Sequence, residues 1–416
     1  MPNAAALLWR LPPLLSLLLL LTSNALSATP TRTYDAAYRV ELRPASGMAH
    51  VTLTLAGTTL PSRLTFVVDG GRHRNFSSSA RLDIRERTVA WYPEGGHAQL
   101  EFDFVVDHRV DSGRYDSRMT RDSALFRGDR LVPTVSVRAA RNLEADTTLE
   151  FVLPEGWSVA APYPEIQHGK FRIEQPGRRF DRPVGWMLAG RIGTRQESIA
   201  GVNTTVAAPA GDDARRQDTL AFLNWNLPYL KRVFPEFPSR ILVVLAGDPM
   251  FRGGLSGPAS LFLHSSRPLI SENRTSTLLH ELTHVALGIR GDEESDWIVE
   301  GLAEYYSLEV LRRSGGIGER RFQEAVERQG SWGRRAPNLF VAESSGATTA
   351  RAVTVLAAAD AEIREATGSK ASLDDVAREL ARRRGTVSLA LLQSLATKAA
   401  GRPVTALDRA RLEAGR

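Results

Sequence analysis

The chain has 416 residues, with 53 Lys and Arg against 47 Asp and Glu, a formal net charge of +6 and no cysteine. The absence of cysteine excludes disulfides, thiolate metal ligands and a lipidated cysteine, and the scattered charge, with no basic run interleaved with aromatics, excludes a nucleic-acid groove. A hydrophobic content of 43% with 24% charged residues is ordinary for a soluble globular protein, of a length that calls for more than one core.

Residues 1–28 carry Arg10, a leucine-rich run from Leu11 to Leu21, and small residues at Ala25, Ser27 and Ala28. This pattern reads as a secretory signal peptide, and its apolar core, with Pro12 and Pro13, is too short to span a bilayer. An exported chain without disulfides points to a bacterial periplasm or to secretion, with no membrane attachment after cleavage.

From 29 to 208 the chain reads as all-β. Tyr38–Leu42, His50–Leu55, Leu64–Val68, Gln99–Phe104 and Thr148–Leu153 alternate or are β-branched, and Gly, Pro, Asp and Ser turns separate them. A β-sandwich is the expected architecture. His50, His73, His97, His108 and His168 lack ligand spacing and read as surface or turn residues.

Beyond 208 the pattern changes. Residues 213–234 predict a helix with Leu220, Leu223, Leu227 and Leu230 inward and a kink at Pro228. Ile241–Leu245 and Ser260–His264 read as buried strands flanking the glycine-rich Arg252–Pro258. Asn273-Arg-Thr275 matches a glycosylation tripeptide, but Asn273 or Thr275 also fits as a helix cap, and no function is assigned to it.

Ser276–Gly288 contains His-Glu-Leu-Thr-His at 280–284 within an apolar ridge of Leu278, Leu279, Leu282, Val285, Ala286 and Leu287. On a helix, residues four apart lie one turn above each other, so His280 and His284 point at one spot. That arrangement suits a tetrahedral Zn²⁺, with Glu281 beside it as a base for the attacking water. An ordinary amphipathic helix can also carry two such histidines, so a third ligand decides. Glu300 and Glu304 supply candidates, on a predicted helix from Ser295 or Asp296 to Gly315. Further helices are expected near 320–328, 351–367, 372–384, with a capping box at Ser372–Asp375, and 388–399.

His280-Glu-Leu-Thr-His284, followed by Trp297-Ile-Val-Glu-Gly-Leu-Ala-Glu-Tyr305, resembles the gluzincin zinc metallopeptidases, in particular the membrane-alanyl and glycyl aminopeptidase families. The resemblance implies an α+β chain: a β-sandwich (29–208), a thermolysin-like gluzincin catalytic domain (209–345) and a helical C-terminal part (346–416). It implies Zn²⁺ on His280, His284 and Glu300, Glu281 as general base, and Glu304 as an outer carboxylate or, less simply, an alternative ligand. The spacer between His284 and Glu300 is shorter than is usual in those families.

Two further features of the families are altered. A Gly-x-x-Glu segment there lies along the substrate, its Glu holding the free amino terminus; here Gly253-Gly254-Leu-Ser256 keeps the glycines and has Ser256 in place of Glu. A tyrosine that would donate to the oxyanion is missing, since no Tyr follows Tyr306, and Arg351, Tyr305 or Tyr306 remain as substitutes. The expected function is an exported zinc metallopeptidase acting on a peptide or protein substrate, with altered specificity. The alternative is a catalytically weak or inactive zinc-containing peptide-binding protein.

Overall fold

The computed structural model describes residues 32–174 and 178–414, and the expected signal peptide at 1–28 lies outside them. In the first half, Arg32–Arg43 runs parallel to Leu143–Val152 and antiparallel to Met48–Ala56, at the centre of a seven-stranded sheet. Alternation decides its register: Tyr34, Ala36, Tyr38, Val40 and Leu42 are all buried, while the residues between them are more exposed. A four-stranded sheet adds Leu64, Phe66, Val89 and Trp91 to the same core, and a five-stranded sheet adds Ala124, Phe126, Met187 and Ala189. Three sheets, rather than the two of a simple sandwich, therefore enclose this core. His73 lies inside it rather than at the surface, its Nε2 bonded to the Arg130 carbonyl at 2.9 Å.

A second five-stranded sheet has the order Ile192–Ile199, Val202–Pro209, Arg240–Ala246, Ser260–His264, Gly254–Gly257. The inner three strands are parallel and the outer two antiparallel to their neighbours. Residues 192–208 thus belong to this sheet, so the change of sheet comes near residue 190, earlier than the boundary at 208 expected from the sequence. Ile241–Ala246 is apolar throughout because both its faces are covered. Val243 and Leu245 face the helices, whereas Leu242, Val244 and Ala246 pack with Trp186, Leu188 and Phe262 against the first half.

Helices Arg216–Val233, Thr277–Leu287, Asp296–Arg313, Glu319–Gly333, Ala347–Thr367, Leu373–Arg383 and Leu389–Ala400 share one core with that sheet. The capping box at Ser372–Asp375 is present. A short strand, Ile289–Gly291, joins the second and third of these helices and pairs in parallel with Gly385–Val387. Among the described residues, no helix is long and apolar enough to cross a membrane.

Candidate metal centre

The motif helix begins at Ser276, whose side chain accepts from the Leu279 N–H at 3.4 Å, and ends at Gly288 in a left-handed turn with φ 57°. Ser276 is the cap, in place of the expected Asn273 or Thr275. Leu278, Leu279, Leu282, Val285 and Leu287 enter the core. The helix that follows brings Glu300 against the two histidines. The Nε2 atoms of His280 and His284 lie 3.1 Å apart; Glu300 Oε2 is 3.3 Å from the first and Oε1 is 3.3 Å from the second. One ligand atom from each of the three residues lies within 4.8 Å of the others.

Local packing holds the two helices together. The Ser276 N–H donates to Ser307 Oγ at 3.0 Å. Gly301 follows Glu300 because a Cβ there would come within 2.6 Å of the Ala352 Cβ, so glycine lets helix Ala347–Thr367 pack closely. Glu304, one turn beyond Glu300, accepts from His280 Nδ1 at 3.0 Å and from Gln329 Nε2 at 3.3 Å. With Nδ1 engaged in this way, Nε2 is the His280 nitrogen that faces Glu300 and His284.

The electrostatics are those of a tightly coupled cluster. Burial pushes the His280 imidazole down, but the carboxylates of Glu300 and Glu304 outweigh it and raise it to about 10. Burial likewise pushes Glu300 up, and the two histidines overcome this, holding it well below the usual carboxylate range. For Glu281 burial wins: its carboxyl is raised, though His280 and His284 oppose the shift. A carboxylate raised in this way is a better proton acceptor near neutral pH than an exposed one.

Gly254–Gly257 forms the sheet edge beside the motif helix. A Cβ on Gly254 would lie 2.5 Å from Glu281 Cγ, so this glycine allows the strand to lie directly on the Glu281 side chain. Ser256 contributes a backbone hydrogen bond to Glu281, and it does not line the cleft. Gly253 and Gly254 do, together with His280, Glu281, Glu300 and Glu304, in an open space of about 890 Å³.

The suggested oxyanion donors are not brought there. Arg351 donates to the Ala336 carbonyl at 3.1 Å and to the Leu412 carbonyl. Tyr305 is 2% exposed and its OH donates to Asp360 at 3.0 Å. Tyr306 is fully buried and bonds Asp374 at 3.0 Å. All three are occupied in packing, and among the described residues no tyrosine lines the cleft.

Among solved structures, the chain is similar to an aminopeptidase N family protein from Idiomarina loihiensis. The TM-score is 0.63 over 84% of this chain and 70% of that one, at 16% sequence identity. At this identity the likeness is one of fold. No protein-family model and no curated protein matches the chain.

Two imidazole nitrogens and a carboxylate, converging from two helices and open on one side to a cleft, form a donor set that fits Zn²⁺ with a coordination position to spare. Gln329 had no part in the sequence reading. Its signal was nonetheless present: it falls on the stripe Phe322, Ala325, Gln329, Gly333, the buried face of helix Glu319–Gly333, where a polar side chain needs a partner.

Proposed function

We propose that the protein is an exported zinc-dependent metallopeptidase. The observation that carries this reading is the convergence of His280, His284 and Glu300 within 4.8 Å, beside a buried Glu281 at the floor of an open cleft. The ion, when held by these three residues, supplies Lewis-acid polarisation of the scissile carbonyl and of water. Glu281 takes the proton of the attacking water and passes it to the leaving amine. Glu304, backed by Gln329, fixes the orientation of His280. The edge strand Gly254–Gly257 offers backbone groups along which an extended peptide can align as an added strand. Ser256 leaves the free amino terminus of a substrate without a counter-charge, so cleavage is not confined to the first residue.

The absence of a phenol from the cleft favours a second reading, a slow or inactive zinc-containing peptide-binding protein. Loss of one oxyanion donor lowers rates by about 10² to 10³. Incubating the zinc-loaded mature protein with a mixed peptide library, beside Glu281→Gln, separates the two. Products formed by the wild type and lost in the variant establish the peptidase; peptide binding without products in either establishes the second reading.

A further inference from the structure

The acidic residues of the cleft are Glu281, Glu300 and Glu304, and all belong to the metal cluster. The remaining charges that line it are Arg267, Arg328 and Arg335, which come from three separate segments. Arg267 lies in the loop after strand Ser260–His264, Arg328 near the end of helix Glu319–Gly333, and Arg335 in the turn beyond it. Among the described residues, none of the three pairs with a carboxylate. Two are tethered by neutral groups: Thr277 Oγ1 accepts from Arg267 Nε and Nη2 at 3.2 and 3.0 Å, and Asn273 Oδ1 accepts from Arg328 Nη1 at 3.1 Å. The Arg335 guanidinium has no partner among the described residues. The contrast is local, since Arg274, next to Asn273, pairs with Glu324 at 2.7 Å.

Fixing guanidinium groups with neutral acceptors orients them while leaving their charge uncompensated, the arrangement that suits a planar anion arriving from solution. Trp332, 44% exposed in the same cleft, offers an aromatic face.

We infer that this cleft selects peptides bearing a carboxylate, which Arg267, Arg328 and Arg335 receive. The inference rests on the peptide-cleft reading above and names its substrate class. The carboxylate comes either from an acidic side chain or from the carboxy terminus. The shared chemistry is one planar anion held by guanidinium donors.

Binding rather than turnover tests this, so that a failure of catalysis does not obscure it. Zinc-loaded Glu281→Gln is titrated calorimetrically with four matched peptides: neutral and amidated, neutral with a free carboxy terminus, amidated with one Glu, and amidated with one Lys. At least one carboxylate peptide should bind about tenfold or more tightly than the neutral amide, and the Lys peptide more weakly still. Adding Arg328→Gln and Arg335→Gln together should remove most of that preference, and higher salt should reduce it. Which carboxylate peptide gains identifies the source. Equal affinities for all four, or a preference that survives the double substitution in a protein of unchanged melting temperature, would overturn the inference. Because these exposed arginines make no ion pairs among the described residues, their replacement should leave the fold intact.

Discussion

The metal wall of the cleft and the arginines that also line it are organised on opposite principles. On the metal wall almost every polar atom answers another: Glu300 spans both histidines, Glu304 holds His280, and Gln329 holds Glu304. The other charges that line the cleft, Arg267, Arg328 and Arg335, are exposed, and among the described residues they stand without acidic partners. Dense reciprocal bonding fixes geometry to the tolerance chemistry needs, whereas unpaired charge on a tethered side chain is suited to recognising what arrives.

That contrast can be broken or sharpened by substitution. The largest effect is expected from His284→Ala, which removes a ligand: bound zinc, read by elemental analysis of the purified protein, should fall from one ion per chain to near zero, and peptide cleavage with it. Glu281→Gln should retain the zinc and lose cleavage by about 10² to 10⁴, read as kcat/KM. Gly254→Ala forces a Cβ toward Glu281 Cγ, where only 2.5 Å is available. Displacing the base by such a clash should lower kcat by about 10² while zinc stays bound. Gln329→Leu releases Glu304 from its second partner and should weaken zinc about tenfold in a competition titration with a chelator. If zinc affinity did not move, the metal wall would be less interlocked than its hydrogen bonds indicate.

The smallest expected effect lies outside the cleft. Asp181 is 1% exposed, its Oδ1 has no partner, and burial raises its carboxyl from 3.8 to about 6. A raised carboxyl pKa means that the native state favours the protonated form. Its contribution is fully present below pH 3.8 and is lost as pH rises through about 6. Asp181→Asn should therefore raise the melting temperature at pH 8 by about 2 °C or more, show no gain near pH 4, and leave the zinc content unchanged. A change in zinc would link the β-rich half to the metal wall.

The metal wall was legible in the sequence because its parts are close in the chain. His280, Glu281 and His284 share one helix, Glu300 and Glu304 the next, and helical spacing alone places each pair on a face. The arginines of the cleft were not legible, because Arg267, Arg328 and Arg335 come to line one cleft only through packing of the loop and helices, and an arginine in a sequence with 53 basic residues carries no mark of its surroundings. The oxyanion candidates failed for a related reason. Tyr305 and Tyr306 lie next to Glu304 in the chain, but the helix turns them into the core, where Asp360 and Asp374 take their hydroxyls. Residues 192–208 fall in the region that reads as all-β, yet which sheet their strands join depends on pairing with Arg240–Ala246, and local pattern does not encode that.

The three-residue strand between the metal-site helices has a consequence for the birth of the site. Ile289–Gly291 is fastened by Gly385–Val387, Arg290 Nε donates to Thr386 Oγ1 at 3.1 Å, and the Asp292 N–H donates to the Val387 carbonyl at 3.0 Å. A chain made from its amino end exposes His280, His284 and Glu300 long before Thr386 exists. Until then their connector lacks its neighbouring strand. Chains truncated before residue 385 therefore keep all three donors but lose the strand that fastens the connector between their helices, and they are expected to bind zinc less firmly than the full chain.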